Sequence, residues 1–309
     1  MEKQKTISIC FAVYQNEKSL KILYDKFVTI FASTLNNYNY ELVFVDDGSK
    51  DGSLNKLLDI KKETNDNRIK IISLSRNFGQ MAAILAGWHN AIGDAVINIA
   101  ADLQDPPEQC IEMIREWEKG NEIVISYRIS HSTTIMRKIT SRFFYRLMIP
   151  DVPPGGFDFA LIDRKPMDII NALKEHHRFY QYDILWAGFN KKFIPYKKAE
   201  RRFGKSQYNL LKRFNNFFSA FLSVSNFPIR LFSMIGGIVA ISGFLYAINI
   251  VWAYFNYNSS PFEGWSPLMI VILIIGGLIM LMLGMIGEYI WRILDEVKGR
   301  PNYIIKDIK

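Results

Sequence analysis

Residues 41 to 53 read ELVFVDDGSKDGS, and this stretch decides the fold. Glu41–Val45 is a short apolar run typical of a buried strand, and Asp46, Asp47 and Gly48 then favour a turn. Similar apolar runs recur along the first 130 residues, and segments with helical spacing separate them. This alternation predicts an α/β domain with a mainly parallel sheet and helices on both faces. The predicted strands are Thr6–Val13, Glu41–Val45, Ile69–Leu74, Ala95–Ala100 and Glu122–Ser126, and the predicted helices are Glu17–Leu35, Asp51–Thr64, Phe78–Ile92 and Pro107–Lys119.

Three polar clusters follow predicted strands. They are residues 14–17 (YQNE), residues 46–49 (DDGS) and residues 102–108 (DLQDPPE). Taken singly, each cluster is also explained by turn and helix-capping chemistry. All three in this order favour a binding site, because ligands of open α/β sheets bind at the carboxyl ends of the strands.

The composition limits the class of partner. The 309 residues carry a net charge of +8, which suits an anionic partner such as a nucleotide, a nucleic acid or a membrane surface. Only two cysteines are present, which argues against a disulfide scaffold or a Cys-ligated zinc site.

The C-terminal third contains two long stretches without a formal charge, 231–262 and 264–287. A bilayer core about 30 Å thick needs roughly 20 apolar residues in a helix. We therefore expect two transmembrane helices near 232–255 and 267–289, within 231–291. The alternative is a pair of buried core helices, although soluble helices of this length usually carry a polar face.

The distribution of lysine and arginine predicts the orientation. The segment before residue 231 and the tail after residue 291 are rich in these residues, whereas the connector 256–266 has none. The positive-inside rule therefore predicts a multi-pass protein of the inner (plasma) membrane, with the N-terminal domain and both termini in the cytoplasm.

Four strings carry a family resemblance. The strings "VYQNE", "VDDGSKDGS", "RNFGQ" and "ADLQDPPE", in this order, resemble the inverting family-2 glycosyltransferases. Two C-terminal spans and the ending "GEYIWRILDEVKGRPNY" narrow the resemblance to polyprenyl-phosphate glycosyltransferases, relatives of dolichol-phosphate mannose synthase and the bactoprenol glucosyltransferases. The resemblance implies a cytoplasmic GT-A catalytic domain (nucleotide-diphospho-sugar transferase, Rossmann-like) over residues 1–205. A juxtamembrane amphipathic helix region (206–230), the two spans and a cytoplasmic tail (292–309) follow.

The resemblance also implies a metal site. Asp102 and Gln104 occupy positions of the family's metal motif and would hold Mg²⁺ or Mn²⁺, with Asp102 also counted as catalytic, while Ala100 replaces the motif's first aspartate. Hard cations prefer oxygen ligands and usually keep waters or substrate phosphates. Asp105 is either a supporting group or the cap of the Pro107 helix.

The nucleotide site is implied at Tyr14, Glu17, Asp46, Asp47 and Asn77. The physical reason for the two aspartates is that a carboxylate accepts hydrogen bonds from a base N–H or from ribose hydroxyls, whereas it would repel a phosphate.

The resemblance also implies a binding site for the lipid phosphate, made of arginines and serines. Its residues in this chain are Arg128, Arg137, Ser141, Arg202 and Ser206. Arginine offers a planar pair of donors that matches phosphate. The alternative for the segment around Arg137 is a solvated basic helix near anionic lipid.

Two further features concern the acceptor. The resemblance implies that Asp158 positions the acceptor or the sugar, and a role as base stays open. Apolar residues at helical spacing, with polar residues between them, predict an interfacial amphipathic helix over 210–222, for which an ordinary core helix is the alternative.

The expected activity is the inverting transfer of one sugar from a nucleotide-sugar, a UDP-sugar by preference, to undecaprenyl phosphate at the cytoplasmic face of the bilayer. The product would be a lipid-linked sugar donor for modification of cell-envelope glycans. Relatives imply a homo-oligomer and no nucleic acid. One alternative is a processive polysaccharide synthase, although this chain has "QYDILW" (residues 181–186) where such enzymes carry "QxxRW". The other is a non-catalytic binding protein on a degenerate fold, motivated by Ala100.

Overall fold

The computed structural model describes residues 4–129, 156–176, 178–199, 227–257 and 265–309. The chain divides into two compact units, Met1–Ser223 with Pro301–Lys309, and Val224–Arg300. The first unit contains β1 (Thr6–Val13), α1 (Glu17–Ser33), β2 (Asn39–Asp46), α2 (Ser53–Thr64), β3 (Ile69–Leu74), α3 (Gln80–Asn90), β4 (Ala95–Ala100), α4 (Gln109–Glu118), β5 (Ile123–Arg128), β6 (Phe157–Asp163), α5 (Arg164–Ala172), α6 (Tyr180–Trp186), β7 (Lys191–Tyr196) and β8 (Ile305–Ile308). The second unit contains α7 (Phe227–Tyr257) and α8 (Trp265–Lys298).

The eight strands form one mixed sheet in the order β7-β5-β6-β4-β1-β2-β3-β8. Strands β6 and β8 run antiparallel to their neighbours, and the remaining pairs are parallel. The prediction of a mainly parallel sheet is therefore confirmed for β1 to β5. The sequence did not predict β6, β7 or β8, and the two antiparallel strands make the sheet mixed.

The central strands are apolar because both faces of the sheet are covered. Phe11 of β1 is fully buried, and its ring stacks on Phe44 of β2 with centroids 4.6 Å apart. The ring of Phe27 on α1 packs edge-to-face against the ring of Phe11, with centroids 5.3 Å apart. This aromatic contact fixes α1 against the centre of the sheet, which in turn holds the loop that precedes the helix.

The predicted helix ends are wrong by one or two residues at several places. Helix α3 begins at Gln80 rather than Phe78, because the φ of Gly79 is +99°, which lies outside the right-handed helical region. Helix α4 begins at Gln109, because the segment from Pro106 to Glu108 forms turns before it. Both shifts leave more loop at the carboxyl edge of the sheet than the sequence predicts.

The segment after α8 is part of the eight-stranded sheet. Strand β8 pairs antiparallel with β3, and the N–H of Ser75 donates to the carbonyl of Ile304 at 2.9 Å. The hydroxyl of Tyr303 lies 2.7 Å from Nδ1 of His89 on α3. The tail therefore forms an edge strand, which the sequence did not predict.

The second unit consists of the two long helices α7 and α8. Within the described part of the chain, one segment, Ile274–Lys298 of α8, is long and apolar enough to cross a membrane, and a shorter apolar segment, Ser233–Tyr246, lies in α7. A span in α8 therefore has support, whereas the span near 232–255 stays a prediction. The proposed amphipathic helix over 210–222 lies outside the described residues.

Candidate active site

The three polar clusters lie at one edge of the sheet, as predicted. Strand β1 is paired in parallel with both β2 and β4, so the loops that follow these strands share the carboxyl edge. The N–H of Asp47 donates to the carbonyl of Val13 at 2.9 Å, and the hydroxyl of Ser19 donates to the carbonyl of Ala101 at 2.7 Å. These bonds join the end of β1 and the start of α1, which flank residues 14–17, to the loops that follow β2 and β4.

Side-chain hydroxyls connect the loop after β1 (residues 14–17) to the loop after β2 and the start of α2 (residues 46–53). The N–H of Gln15 donates to Oγ of Ser49 at 3.1 Å, and the N–H of Asn16 donates to Oγ of Ser53 at 2.8 Å. The carboxylate of Glu17 accepts the N–H of Gly52 at 3.3 Å. This contact of Glu17, a predicted nucleotide ligand, therefore lies within the protein, and Tyr14 is half-buried in the same loop.

Asp47 organises a further loop, residues 75–79, which follows β3. Its side chain is buried, and its two carboxylate oxygens accept the backbone N–H groups of Phe78 at 2.7 Å and Gly79 at 2.9 Å. Burial raises the pKa of Asp47, and these two N–H groups oppose that rise. Asp47 thus holds the loop of residues 75–79, which also carries the exposed Asn77.

Asp46 differs from its neighbour. It is also buried, and its Oδ2 accepts the N–H of Ser49 at 3.4 Å, whereas its Oδ1 has no hydrogen-bond partner within the described part of the chain. Burial is the main cause that raises the pKa of Asp46, and the hydrogen bonds from Ser49 oppose it. A buried acceptor without a donor is costly, so the hydrogen-bonding capacity of this oxygen is unmet within the described residues.

Gly48 lets two loops meet closely. Its φ is +64°, and a methyl group added there would lie 2.6 Å from the carbonyl carbon of Arg76 and 2.7 Å from the nitrogen of Asn77. A glycine is therefore required at this position. Sequence reasoning placed Gly48 and Ser49 in a polar cluster at the site without predicting these contacts, and it did not identify Ser19 or Ser53 as residues that build the site.

The loop after β4 (residues 102–108) contains the two predicted metal ligands. Oδ1 of Asp102 accepts the N–H of Gln104 at 3.1 Å, and Leu103 between them has a φ of +60°. Both side chains are half-buried. Among the residues that the structure describes, no group of three His, Cys, Asp or Glu side chains could hold a metal ion. One carboxylate and one amide oxygen fit a hard cation only if a ligand such as a diphosphate completes the shell.

Asp105 connects this loop to β7. Its carboxyl group is fully buried and accepts the hydroxyl of Tyr196 at 2.6 Å, with Nζ of Lys198 at 3.5 Å. The residue at the N-cap position of α4 is Glu108, so the capping alternative for Asp105 is wrong. A supporting role for Asp105 at the metal site stays a prediction, and sequence reasoning missed Tyr196 and Lys198 as its partners.

The acceptor residues are only partly described. Arg128 is exposed at the end of β5, and the backbone of Asp158 lies near the start of β6, the strand paired with β5. Because the two strands are antiparallel, both residues lie at the carboxyl edge of β5. The predicted acceptor residues Arg137, Ser141, Arg202 and Ser206 lie outside the described residues.

The sheet and its carboxyl-edge loops define an α/β protein with a GT-A-like nucleotide-sugar transferase fold. Residues 8–180 match the family described as glycosyl transferase family 2, and residues 227–293 match the GtrB C-terminal hairpin. The chain belongs to glycosyl transferase family 2 and is a glycosyltransferase, which confirms the resemblance found in the sequence.

Similar proteins cover nearly the whole chain. The "uncharacterized glycosyltransferase YkcC" of Bacillus subtilis is 38% identical and covers 99% of this chain and 95% of its own length. The bactoprenol glucosyl transferase of Shigella phage SfII is 35% identical, with 97% of each chain covered. Among solved structures, glucosyl-3-phosphoglycerate synthase from Mycobacterium tuberculosis, in complex with Mn²⁺, UDP-glucose and phosphoglyceric acid, has a TM-score of 0.51 at 13% identity. The match covers 71% of this chain and 79% of the synthase chain, and it supports the assignment of the fold.

Proposed function

We propose that this chain moves one sugar from a UDP-sugar to undecaprenyl phosphate, with inversion, at the cytoplasmic face of the plasma membrane. The observation that carries the acceptor is the near full-length similarity to a bactoprenol glucosyl transferase. On the donor side, the proposal is supported by the buried Asp46, whose free Oδ1 faces no donor in the described residues. We also propose that Tyr14, Glu17, Asp47 and Asn77 line or build this nucleotide site.

The chemical step is a single displacement. An oxygen of the lipid phosphate attacks the anomeric carbon, the bond from that carbon to the diphosphate oxygen breaks, and the nucleoside diphosphate leaves. A phosphate monoester with a second pKa of about 6 is largely dianionic at neutral pH. The nucleophile therefore needs little help from a base, and Asp158 has a positioning role.

We further propose that Asp102 and Gln104 hold a divalent cation, Mg²⁺ or Mn²⁺, together with the donor diphosphate. When bound, such a cation neutralises charge that develops on the leaving diphosphate. This proposal is supported by the chemistry of the two side chains, since both provide oxygen ligands and the bond from Gln104 N to Asp102 Oδ1 fixes the turn between them.

The tail strand supports the proposed orientation in the membrane. Strand β8 belongs to the same compact unit as residues 1–223. This pairing favours a topology in which the tail and the catalytic domain lie on the same side of a bilayer, with an even number of crossings between them. Two spans, one in α7 and one in α8, satisfy this condition, and the lysines and arginines flanking them favour the cytoplasmic side. We propose a homo-oligomer as the working assembly.

A lipid-extract assay tests the function. The full chain in detergent, given undecaprenyl phosphate and a panel of UDP-sugars, should yield one sugar per lipid. A long polymer would favour a processive synthase, and donor binding without any product would favour a non-catalytic binding protein.

One substitution tests the acceptor side. Arg137→Ala should keep nucleotide affinity in calorimetry, while acceptor use falls about 10- to 150-fold, because a hydrogen bond to a charged group is worth about 1.5–3 kcal/mol. Lys138→Ala, one residue along the chain, is the matched control and should change acceptor use little. Loss of nucleotide binding in the Arg137 variant would place this arginine on the donor diphosphate instead.

A further inference from the structure

Two buried side chains of α6 donate to one backbone carbonyl. The hydroxyl of Tyr180 donates to the carbonyl oxygen of Phe157 at 3.2 Å, and Nε2 of Gln181 donates to the same oxygen. Both side chains are more than nine-tenths buried. The first turn of α6 therefore fixes the first residue of β6 through two side-chain donors.

Phe157 lies at a break in the pairing of β5 with β6. Ser126 is paired with Phe159, whereas the next residue, Tyr127, is paired with Phe157. Asp158 is therefore the extra residue of a β-bulge. Bulges bend the strand, change the direction of the local side chain and are frequent next to active sites.

Helix α6 itself is held by a separate ion pair. Nε of Arg178 lies 2.8 Å from Oδ2 of Asp183, and Nη2 of Arg178 donates to the carbonyl of Ile170 at 2.8 Å. Both members of the pair are buried. Because this pair anchors the helix to α5, the helix does not depend on Gln181 for its position.

Packing alone does not explain a glutamine at residue 181. Its Oε1 is buried and has no hydrogen-bond partner among the residues that the structure describes. A buried acceptor without a donor destabilises the fold, and an apolar side chain of similar volume would avoid that penalty. The amide thus carries a cost in stability, and its Nε2 donates to the carbonyl beside the bulge.

We propose that Gln181 is a positioning residue that fixes the Phe157 carbonyl and so sets the bulge at Asp158 for sugar transfer. The inference rests on the proposed role of Asp158 in transfer. Gln181 itself does not touch substrate in this proposal, and it acts through the backbone of β6.

The main test is Gln181→Leu in the full chain. The value of kcat should fall by about 10- to 100-fold, since a small misplacement of a reacting group has an effect of this size. Nucleotide affinity should stay at the wild-type value. Tm should stay at the wild-type value or rise. Tyr182→Phe is the matched control, because it removes a hydroxyl from the same helix without touching Phe157, and it should keep the wild-type kcat. Tyr180→Phe removes one of the two donors with little change in volume and should lower kcat in the same direction.

A pH profile separates positioning from simple packing. In Gln181→Glu, burial raises the pKa of the new carboxyl group. The protonated carboxyl can donate to Phe157, whereas the carboxylate cannot. The kcat of this variant relative to wild type should therefore rise as the pH falls, while the relative kcat of Gln181→Leu stays flat.

The outcomes distinguish this inference from the proposed function. Wild-type kcat in Gln181→Leu, with Asp158→Ala inactive, would overturn the inference and leave the role of Asp158 intact. Wild-type kcat in Asp158→Ala would overturn that role and the inference with it. A fall in Tm or in nucleotide affinity that matches the fall in kcat would also overturn the inference, since Gln181 would then act through general packing.

Discussion

The backbone N–H of Gly79 lies 2.9 Å from Oδ2 of Asp47, across the gap between the loop after β2 and the start of α3. The other carboxylate oxygen of Asp47 holds Phe78 in the same way. The two adjacent aspartates therefore divide the work of the site. Asp47 fixes the loop of residues 75–79, whereas Oδ1 of the neighbouring Asp46 has no hydrogen-bond partner among the residues that the structure describes.

Asp47→Ala should destabilise the catalytic domain and weaken donor binding. Each lost hydrogen bond to the carboxylate should cost about 1.5–3 kcal/mol of unfolding free energy. Chemical denaturation of the full chain in detergent measures the loss, and Asp59→Ala, on the exposed face of α2, is the control. An Asp47 variant as stable as the control would contradict the assignment.

Asp46→Asn should raise stability at neutral pH and lower nucleotide affinity. Burial raises the pKa of Asp46 above its ordinary value of 3.8, so the folded state binds the proton more tightly than the unfolded state. The stability from this proton is present below that ordinary value and is lost as the pH rises through the raised pKa. The Tm of the variant should therefore exceed that of wild type most at pH 7, and acidification should shrink the difference. A difference that grows on acidification would refute this explanation.

Gly48→Ala should disrupt the contact with Arg76. The positive φ and the overlap together should cost roughly 2–4 kcal/mol. Gly120→Ala is the matched control, because Gly120 has a φ of +92° but no atom within 4 Å of the added methyl group. Equal losses of stability in the two variants would mean that the close approach to Arg76 has no energetic weight.

Asp102→Ala should abolish transfer and leave the protein folded, since it removes the one carboxylate assigned to the cation. Transfer assays with Mg²⁺ and with Mn²⁺, beside thermal unfolding, check this. Near wild-type transfer with either cation would rule out the assignment. Ala100→Asp should preserve transfer and tighten binding of the metal, measured by titration.

Thiol labelling should place the tail on the catalytic side of the membrane. Cys10 and Cys110 are both buried, and burial raises the pKa of each thiol, so introduced cysteines should dominate the labelling of the folded protein. In sealed vesicles, an impermeant maleimide should reach Asp59→Cys and Lys306→Cys from the same side and Ser259→Cys from the opposite side. Labelling of positions 306 and 259 from the same side would contradict a two-span hairpin.

The sequence predicts those parts of the fold and site that depend on local pattern. Apolar periodicity locates β1 to β5, and the rule for carboxyl ends gathers Asp46 and Asp102 at one edge. Contacts between distant segments carry no local pattern, which is why the bond from Tyr196 to Asp105 and the approach of Gly48 to Arg76 were missed. Strand β8 was missed for the same reason, and its charged residues are typical of an edge strand.

The pairing of β8 with β3 also orders the biosynthesis of the protein. The ribosome makes β3 early, whereas β8 follows both long helices, so the sheet has an open edge while the hydrophobic segments are being synthesised. An open strand edge can pair with other chains, and pairing between distant segments is slow to form. The nascent catalytic domain therefore completes its sheet only after both long helices have been made, and until then the free edge of β3 is open to aggregation with other chains.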